Sequence, residues 1–121
     1  MIYLLDTDTL SQFSRGHPGV LERIKETSPR DIAISTVTVM EIEYGLTLQS
    51  AKARVLRPIL QTLFTAVTLL PFDEQAAKAT AALRAKLKMK GTPIGAYDAL
   101  IAGTALAKGL VVVTGNTREY N

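Results

Sequence analysis

Short unbroken apolar runs alternate along this chain with longer segments in which apolar positions recur every three or four residues. Ile2–Leu5, the stretch Asp31–Ser35, Thr68–Leu70 and Leu110–Val113 carry the first pattern and predict buried strands. Between them the second pattern predicts helices over Asp8 to about Ser14, Gly19–Glu26, Thr38–Gln49, Lys52–Thr65, Asp73 to about Met89, and Ala96–Ala107. The breaks are chemical: Gly16-His17-Pro18-Gly19, Thr27-Ser28-Pro29 and the Gly-Thr-Pro-Ile-Gly segment at 91–95 hold residues that interrupt a helix. Pro58 predicts a bend in the fourth helix, and Asp73 a cap for the fifth. Strands that alternate with helices build a mostly parallel sheet covered on both faces, so the fold class is α/β.

In open α/β sheets ligands bind outside the carboxyl ends of the strands, which is where Asp6 stands. If the last strand lies beside the first, Asn116 emerges from the same edge. Asp8 directly precedes Thr9-Leu10-Ser11 and is assigned the capping of the first helix, which frees Asp6 for chemistry. Glu41 has two readings. Thr38-Val39-Met40-Glu41 fits a capping box, whereas Gly45 one turn on leaves room beside the carboxylate for a cation or a substrate backbone. Asp98 also has two: first-turn acids suit the helix dipole, yet this helix is apolar on nearly every side, which predicts a buried acid retained for function.

The three acids together say more than each alone. Two carboxylates about 4 Å apart repel by roughly 4 kcal/mol at an effective dielectric near 20. Convergence of Asp6, Glu41 and Asp98 therefore requires protonation, basic partners or a divalent cation. Oxygen-only donors favour Mg²⁺ or Mn²⁺ over Zn²⁺. His17, the only histidine, sits in a Gly-Pro loop and reads as a surface residue.

Composition narrows the class without choosing within it. With 47% hydrophobic and 21% charged residues the chain is globular, and with no cysteine it has neither disulfides nor thiolate chemistry, which fits a reducing cytoplasm. The longest uncharged stretch, Pro58 to Phe72, carries several polar residues and is shorter than the ~20 apolar residues of a membrane span. A net charge of +3, with Lys78, Arg84, Lys86, Lys88 and Lys90 clustered, is compatible with a polyanionic partner and equally with a solvated helix face.

Apolar-Asp6-Thr7-Asp8 at the start, Ser35-x5-Glu41 after the second strand, the segment from Pro93 through Asp98 to Ala102, and Val112 through Asn116 to Tyr120 together resemble PIN-domain nucleases, in particular the VapC-type toxins of bacterial toxin–antitoxin pairs. The resemblance covers nearly the whole chain in order. It implies a single PIN-like domain over residues 1–121, in three α/β/α layers around a short, mostly parallel sheet. It further implies a cytoplasmic, Mg²⁺- or Mn²⁺-dependent endoribonuclease that cuts RNA with an activated water. Such a protein would be homodimeric, would not associate with membranes, and would be restrained by a VapB-like antitoxin. On that analogy Asp6, Glu41 and Asp98 bind the metal and carry catalysis, with Asp8, Thr114, Asn116 and Glu119 around it or in a fourth position.

Three departures stand out. Position 8 is usually Asn in this subgroup and is Asp here. Many relatives place a fourth acid where Asn116 stands, so that ligand is neutral here or Glu119 replaces it. The family carries a further short strand, so the chain is expected to stop one strand short, with an open sheet edge. Two rivals remain. A PIN relative without catalysis would bind nucleic acid and act through a partner. Asp6-Thr7-Asp8-Thr9 also matches the nucleophile motif of haloacid-dehalogenase-type phosphatases, which need a second acidic pair after a later strand, where this chain has Thr-Gly-Asn after Val113.

Overall fold

A computed structural model describes residues 1–114. In chain order the elements are β1 (Tyr3–Leu5), α1 (Thr7–Ser14), α2 (Pro18–Glu26), a short 3₁₀ turn (Pro29–Asp31), β2 (Ile32–Ser35), α3 (Thr36–Leu48), α4 (Ser50–Ala66), β3 (Thr68–Leu70), α5 (Glu74–Met89), α6 (Ala96–Lys108) and β4 (Val111–Val113). The described strands form one parallel sheet in the order β3-β2-β1-β4. Tyr3 pairs with Ile32 on one side and Val111 on the other, and Leu5 with Ile34 and Val113. The first and last strands therefore lie side by side, a case the sequence left open.

Side chains alternate between the two faces of a strand, and the core divides accordingly. Leu4, Ala33 and Leu70 pack with Ile101 and Ala105 of α6. Leu5, Ile32 and Ile34 pack on the opposite face with Leu10 of α1 and Leu63 of α4. Helices thus cover both faces, which gives the three layers expected. On one face α5 and α6 lie unusually close. A Cβ at Gly103 would overlap the Thr80 hydroxyl and come within 2.8 Å of the Thr80 Cα. Only glycine permits that approach.

Several predicted boundaries move, for local reasons. The second strand begins at Ile32, because Asp31 belongs to the 3₁₀ turn. The third helix begins at Thr36 rather than Thr38, since the Ser35 hydroxyl accepts the Val37 N–H at 3.0 Å and caps it. The run Thr36-Val37-Thr38-Val39 has poor helix propensity, and burial of Val37 and Thr38 outweighs it. Pro58 lies inside a continuous α4. Asp73 caps α5 as expected, accepting the Ala76 N–H at 2.9 Å. His17 is exposed and also caps a helix, its Nδ1 accepting the Val20 N–H at 3.3 Å.

Candidate active site

The carboxyl edge of the sheet collects the candidate residues. Asp6 follows β1 directly, and its backbone N–H continues the ladder by donating to the Val113 carbonyl at 3.1 Å. The Thr9 hydroxyl donates to the same carbonyl at 2.9 Å. These bonds tie the start of α1 to the end of β4 and set Thr114 level with Asp6, one position beyond the Leu5–Val113 pair. Thr114 is half-buried and lines a cavity of about 520 Å³ between α1, α2 and the sheet.

The capping assignment has to be corrected. Asp6, not Asp8, caps α1: its Oδ1 accepts the Thr9 N–H at 2.8 Å. Asp8 lies exposed in the first turn, where its charge faces solvent and favours the helix dipole. Asp6 itself is buried, at 7% exposure, and among the described residues no Lys, Arg or His pairs with it. Its second oxygen takes no hydrogen bond from those residues. One carboxylate thus holds the helix with one oxygen and presents the other.

Glu41 is drawn to the same place by a residue the sequence reading passed over. The Thr7 hydroxyl donates to Glu41 Oε1 at 2.6 Å across the gap between α1 and α3, and lies 3.2 Å from the fully buried Thr38 hydroxyl. The capping-box reading of Glu41 therefore fails, because the cap is Ser35 and Glu41 stands a full turn too far along the helix. Beside Glu41 an elongated groove of about 630 Å³ runs between α1, α3 and α4, with Gly45 in its wall. Glu43 faces away and pairs with Arg57 of α4 at 2.7 Å, which holds its carboxyl below the ordinary range. The only signal for Thr7 in the sequence was its position directly after Asp6, on the first turn of a helix that starts at the sheet edge.

Asp98 reaches the edge by topology. β4 is parallel to β1, so α6 must return toward the start of the strands before Val111. Its 13 residues span about 20 Å, which puts Ala96–Asp98 toward the carboxyl ends. The expectation of a buried acid is not met. The first turn of α6 is exposed at Ala96 and Tyr97, Asp98 is half-buried, and burial begins at Ala99. Its carboxylate folds back over the helix start, where a Cβ on Gly95 would lie 3.2 Å from Oδ2. Glu41 is bonded to Thr7, the residue that follows Asp6, and Asp98 stands on the same edge. Among the described residues no three acids or histidines come close enough to hold a metal ion together. Asn116 and Glu119, with the turn after Thr114, lie outside the described residues.

The chain is similar to known proteins over nearly its whole length. The PIN domain family matches residues 3–120, and the chain belongs to that family. The phosphatase alternative is set aside by that membership. The chain is 40% identical over 119 residues to the tRNA(fMet)-specific endonuclease VapC of Salmonella typhimurium, covering 98% of this chain and 89% of that protein. It superposes on the crystal structure of DNA-bound VapBC from Salmonella typhimurium with a TM-score of 0.87 and 37% identity, over 99% of this chain and 90% of that one. VapBC2 of Rickettsia felis, bound to a DNA fragment from its promoter, gives a TM-score of 0.89 at 27% identity, over 99% and 92% of the two chains.

Proposed function

We propose that this chain is a VapC-type toxin, an endoribonuclease that hydrolyses RNA phosphodiester bonds at the carboxyl edge of its sheet. The observation that carries this reading is the hydrogen bond from Thr7, the residue after Asp6, to Glu41 at that edge, in a chain of the PIN family. The donor chemistry fits a hard divalent cation: carboxylate and hydroxyl oxygens from Asp6, Glu41, Asp98 and Thr114, with no thiol or imidazole among them. We assign Mg²⁺, or Mn²⁺ in its place, to Asp6, Glu41 and Asp98. When bound, the cation supplies a water of lowered pKa and neutralises charge that develops on the phosphate. The protein's own part is positional. Thr9 fixes the Asp6 rotamer, Thr7 and Thr38 fix Glu41, and Thr114 offers a hydroxyl to orient water. Attack by water leaves 5′-phosphate and 3′-hydroxyl ends.

The solved relatives are complexes with antitoxins, which supports a cognate VapB-like antitoxin here. Among the described residues no helix is long and apolar enough to cross a membrane, which accords with a cytoplasmic site of action. Met40, Tyr44 and Leu48 form an exposed apolar stripe at i, i+4 and i+8 on α3. That face is assigned to a second copy of the chain, and light scattering at micromolar concentration should return a dimer.

One observation favours the non-catalytic alternative: the three acids are not gathered into one group among the described residues. Incubation with total RNA, with and without Mg²⁺, followed by mapping of the cut ends, separates the two. Mg²⁺-dependent cuts bearing 5′-phosphates are expected. Binding without cleavage at any divalent concentration would leave only the alternative.

A further inference from the structure

We propose that the groove between α5 and the 91–95 loop is the track along which the RNA backbone reaches the site, with Arg84 and Lys88 each holding a phosphate. The proposal rests on the nuclease reading above and names residues which that reading does not use.

The groove encloses about 590 Å³. One wall is α5, from which Ala81, Arg84, Ala85 and Lys88 face it with Leu87 at the margin; the other is Pro93 and Ile94, ending at Ala99. Residues spaced i, i+3, i+4 and i+7 share one helix face, so α5 presents two small residues and two cations to the groove. Small side chains leave the space and the cations supply the charge. Arg84 and Lys88 are one turn apart, about 6 Å along the axis, comparable to the separation of neighbouring phosphates on a single strand. The far wall ends one residue from Asp98, whose carboxylate folds over Gly95 in the same loop. A strand lying here passes from two cations to an acid of the candidate site.

The remaining cations of α5 are differently placed. Lys78 pairs with Glu74 at 3.2 Å, while Lys86 and Lys90 fall outside the arc that faces the groove and sit at the helix end, where cations favour the dipole. Arg84 and Lys88 are exposed and form no ion pair among the described residues. Two exposed cations one turn apart, without an ion pair among the described residues, match the repeated charge of a nucleic-acid backbone, and contacts of this kind position a strand without reading its sequence.

The test compares two variants with the same loss of charge. Arg84→Gln with Lys88→Gln removes the track, and Lys86→Gln with Lys90→Gln serves as control; glutamine keeps helix propensity in both, and thermal melts confirm that both fold. Cleavage of bulk tRNA is measured across a series of salt concentrations. The track variant should raise KM by about tenfold or more with kcat little changed. The slope of log affinity against log salt should fall by about 1.4–1.8, since each lost phosphate contact contributes roughly 0.7–0.9. The control should move KM less than threefold. Equal effects in both variants reduce the cluster to diffuse charge and overturn the proposal. So does an unchanged KM in the track variant, which leaves the two cations to an acidic protein partner. A parent that does not cleave RNA overturns the nuclease reading and this one with it, whereas a parent that cleaves indifferently to Arg84 and Lys88 overturns this one alone.

Discussion

Asp6 and Asp73 do the same local job in two different surroundings. Each follows closely on a strand and caps the helix after it, accepting an N–H three residues on at 2.8 and 2.9 Å. Asp73 is partly exposed, and the Lys108 ammonium at the far end of α6 neutralises it at 3.0 Å. Asp6 is buried at the carboxyl edge, next to the Thr7–Glu41 pair, with no cation from the described residues beside it. Capping takes one carboxylate oxygen and leaves the charge, and what answers that charge separates structure from chemistry. At Asp73 the answer comes from the protein. At Asp6 no cation among the described residues answers it, and we propose that a ligand does, because retaining a buried carboxylate without a counterion costs several kcal/mol.

The sharpest way to break this comparison is to neutralise both acids. Asn caps a helix about as well as Asp, so Asp6→Asn should fold normally and yet lose Mg²⁺-dependent cleavage by about 10³-fold or more, roughly 4 kcal/mol in the barrier. Asp98→Asn should do the same. Asp73→Asn should keep full activity, and Asp8→Asn a substantial part of it. An active Asp6→Asn or Asp98→Asn enzyme, measured by the rate of RNA cleavage, would sink the site assignment.

Metal binding sharpens the same contrast through stability. A ligand that binds only the folded chain stabilises it by RT ln(1 + [L]/Kd), about 2.7 kcal/mol at a hundred times Kd. Mn²⁺ should therefore raise the melting temperature of the parent by several degrees over EDTA, and that of Asp73→Asn equally. Asp98→Asn should gain less from metal than the parent does. If Asp98 serves only the helix dipole, the parent ignores Mn²⁺ and the variant melts slightly lower in EDTA.

Thr7 offers a smaller test. Thr7→Val keeps shape and removes the hydrogen bond to Glu41. Hydrogen bonds to charged groups contribute about 1.5–3 kcal/mol where buried, and this pair is only half-buried. A loss of about tenfold in kcat with a melting point lowered by a few degrees is expected. An unchanged kcat would mean that Glu41 needs no positioning.

The contrast also explains what was legible in the sequence. Element order and sheet class follow from the apolar runs, because a buried parallel strand leaves few other patterns, whereas the order of strands in the sheet does not. Asp6, Glu41 and Asp98 were visible as acids in apolar surroundings. Their local roles were not. Asp8 looked the better cap by its place before Thr9, but β1 stops at Leu5, so helix α1 begins one residue earlier and Asp6 takes the post. Thr38 looked like a cap for α3 because its β-branched neighbours disguise the first turn. Asp98 looked buried because composition cannot tell which turn of an apolar helix leaves the core. The Thr7 bridge joins residues 34 positions apart in the chain, and no periodicity announces such a contact.

The smallest effect isolates the other half of the comparison. The two largest causes that hold the Asp73 carboxyl below its ordinary value of 3.8 are first the Ala76 backbone N–H that it caps, then the Lys108 ammonium. A carboxyl whose value is lower in the folded than in the unfolded chain binds fewer protons when folded. It adds stability at any pH above the unfolded value, and that stability is lost as pH falls through the folded one. Stability of the parent relative to Asp73→Asn should therefore be constant at neutral pH and shrink progressively below about pH 4. Lys108→Met should shrink the difference at neutral pH and shift its loss to higher pH, since one of the two causes is gone while the cap remains. The measurement is urea unfolding at a series of pH values, taken as the difference between parent and variant so that the other acids cancel. A difference that stays flat through the acid range would show that Asp73 titrates alike in both states, and the contrast with Asp6 would then rest on burial alone.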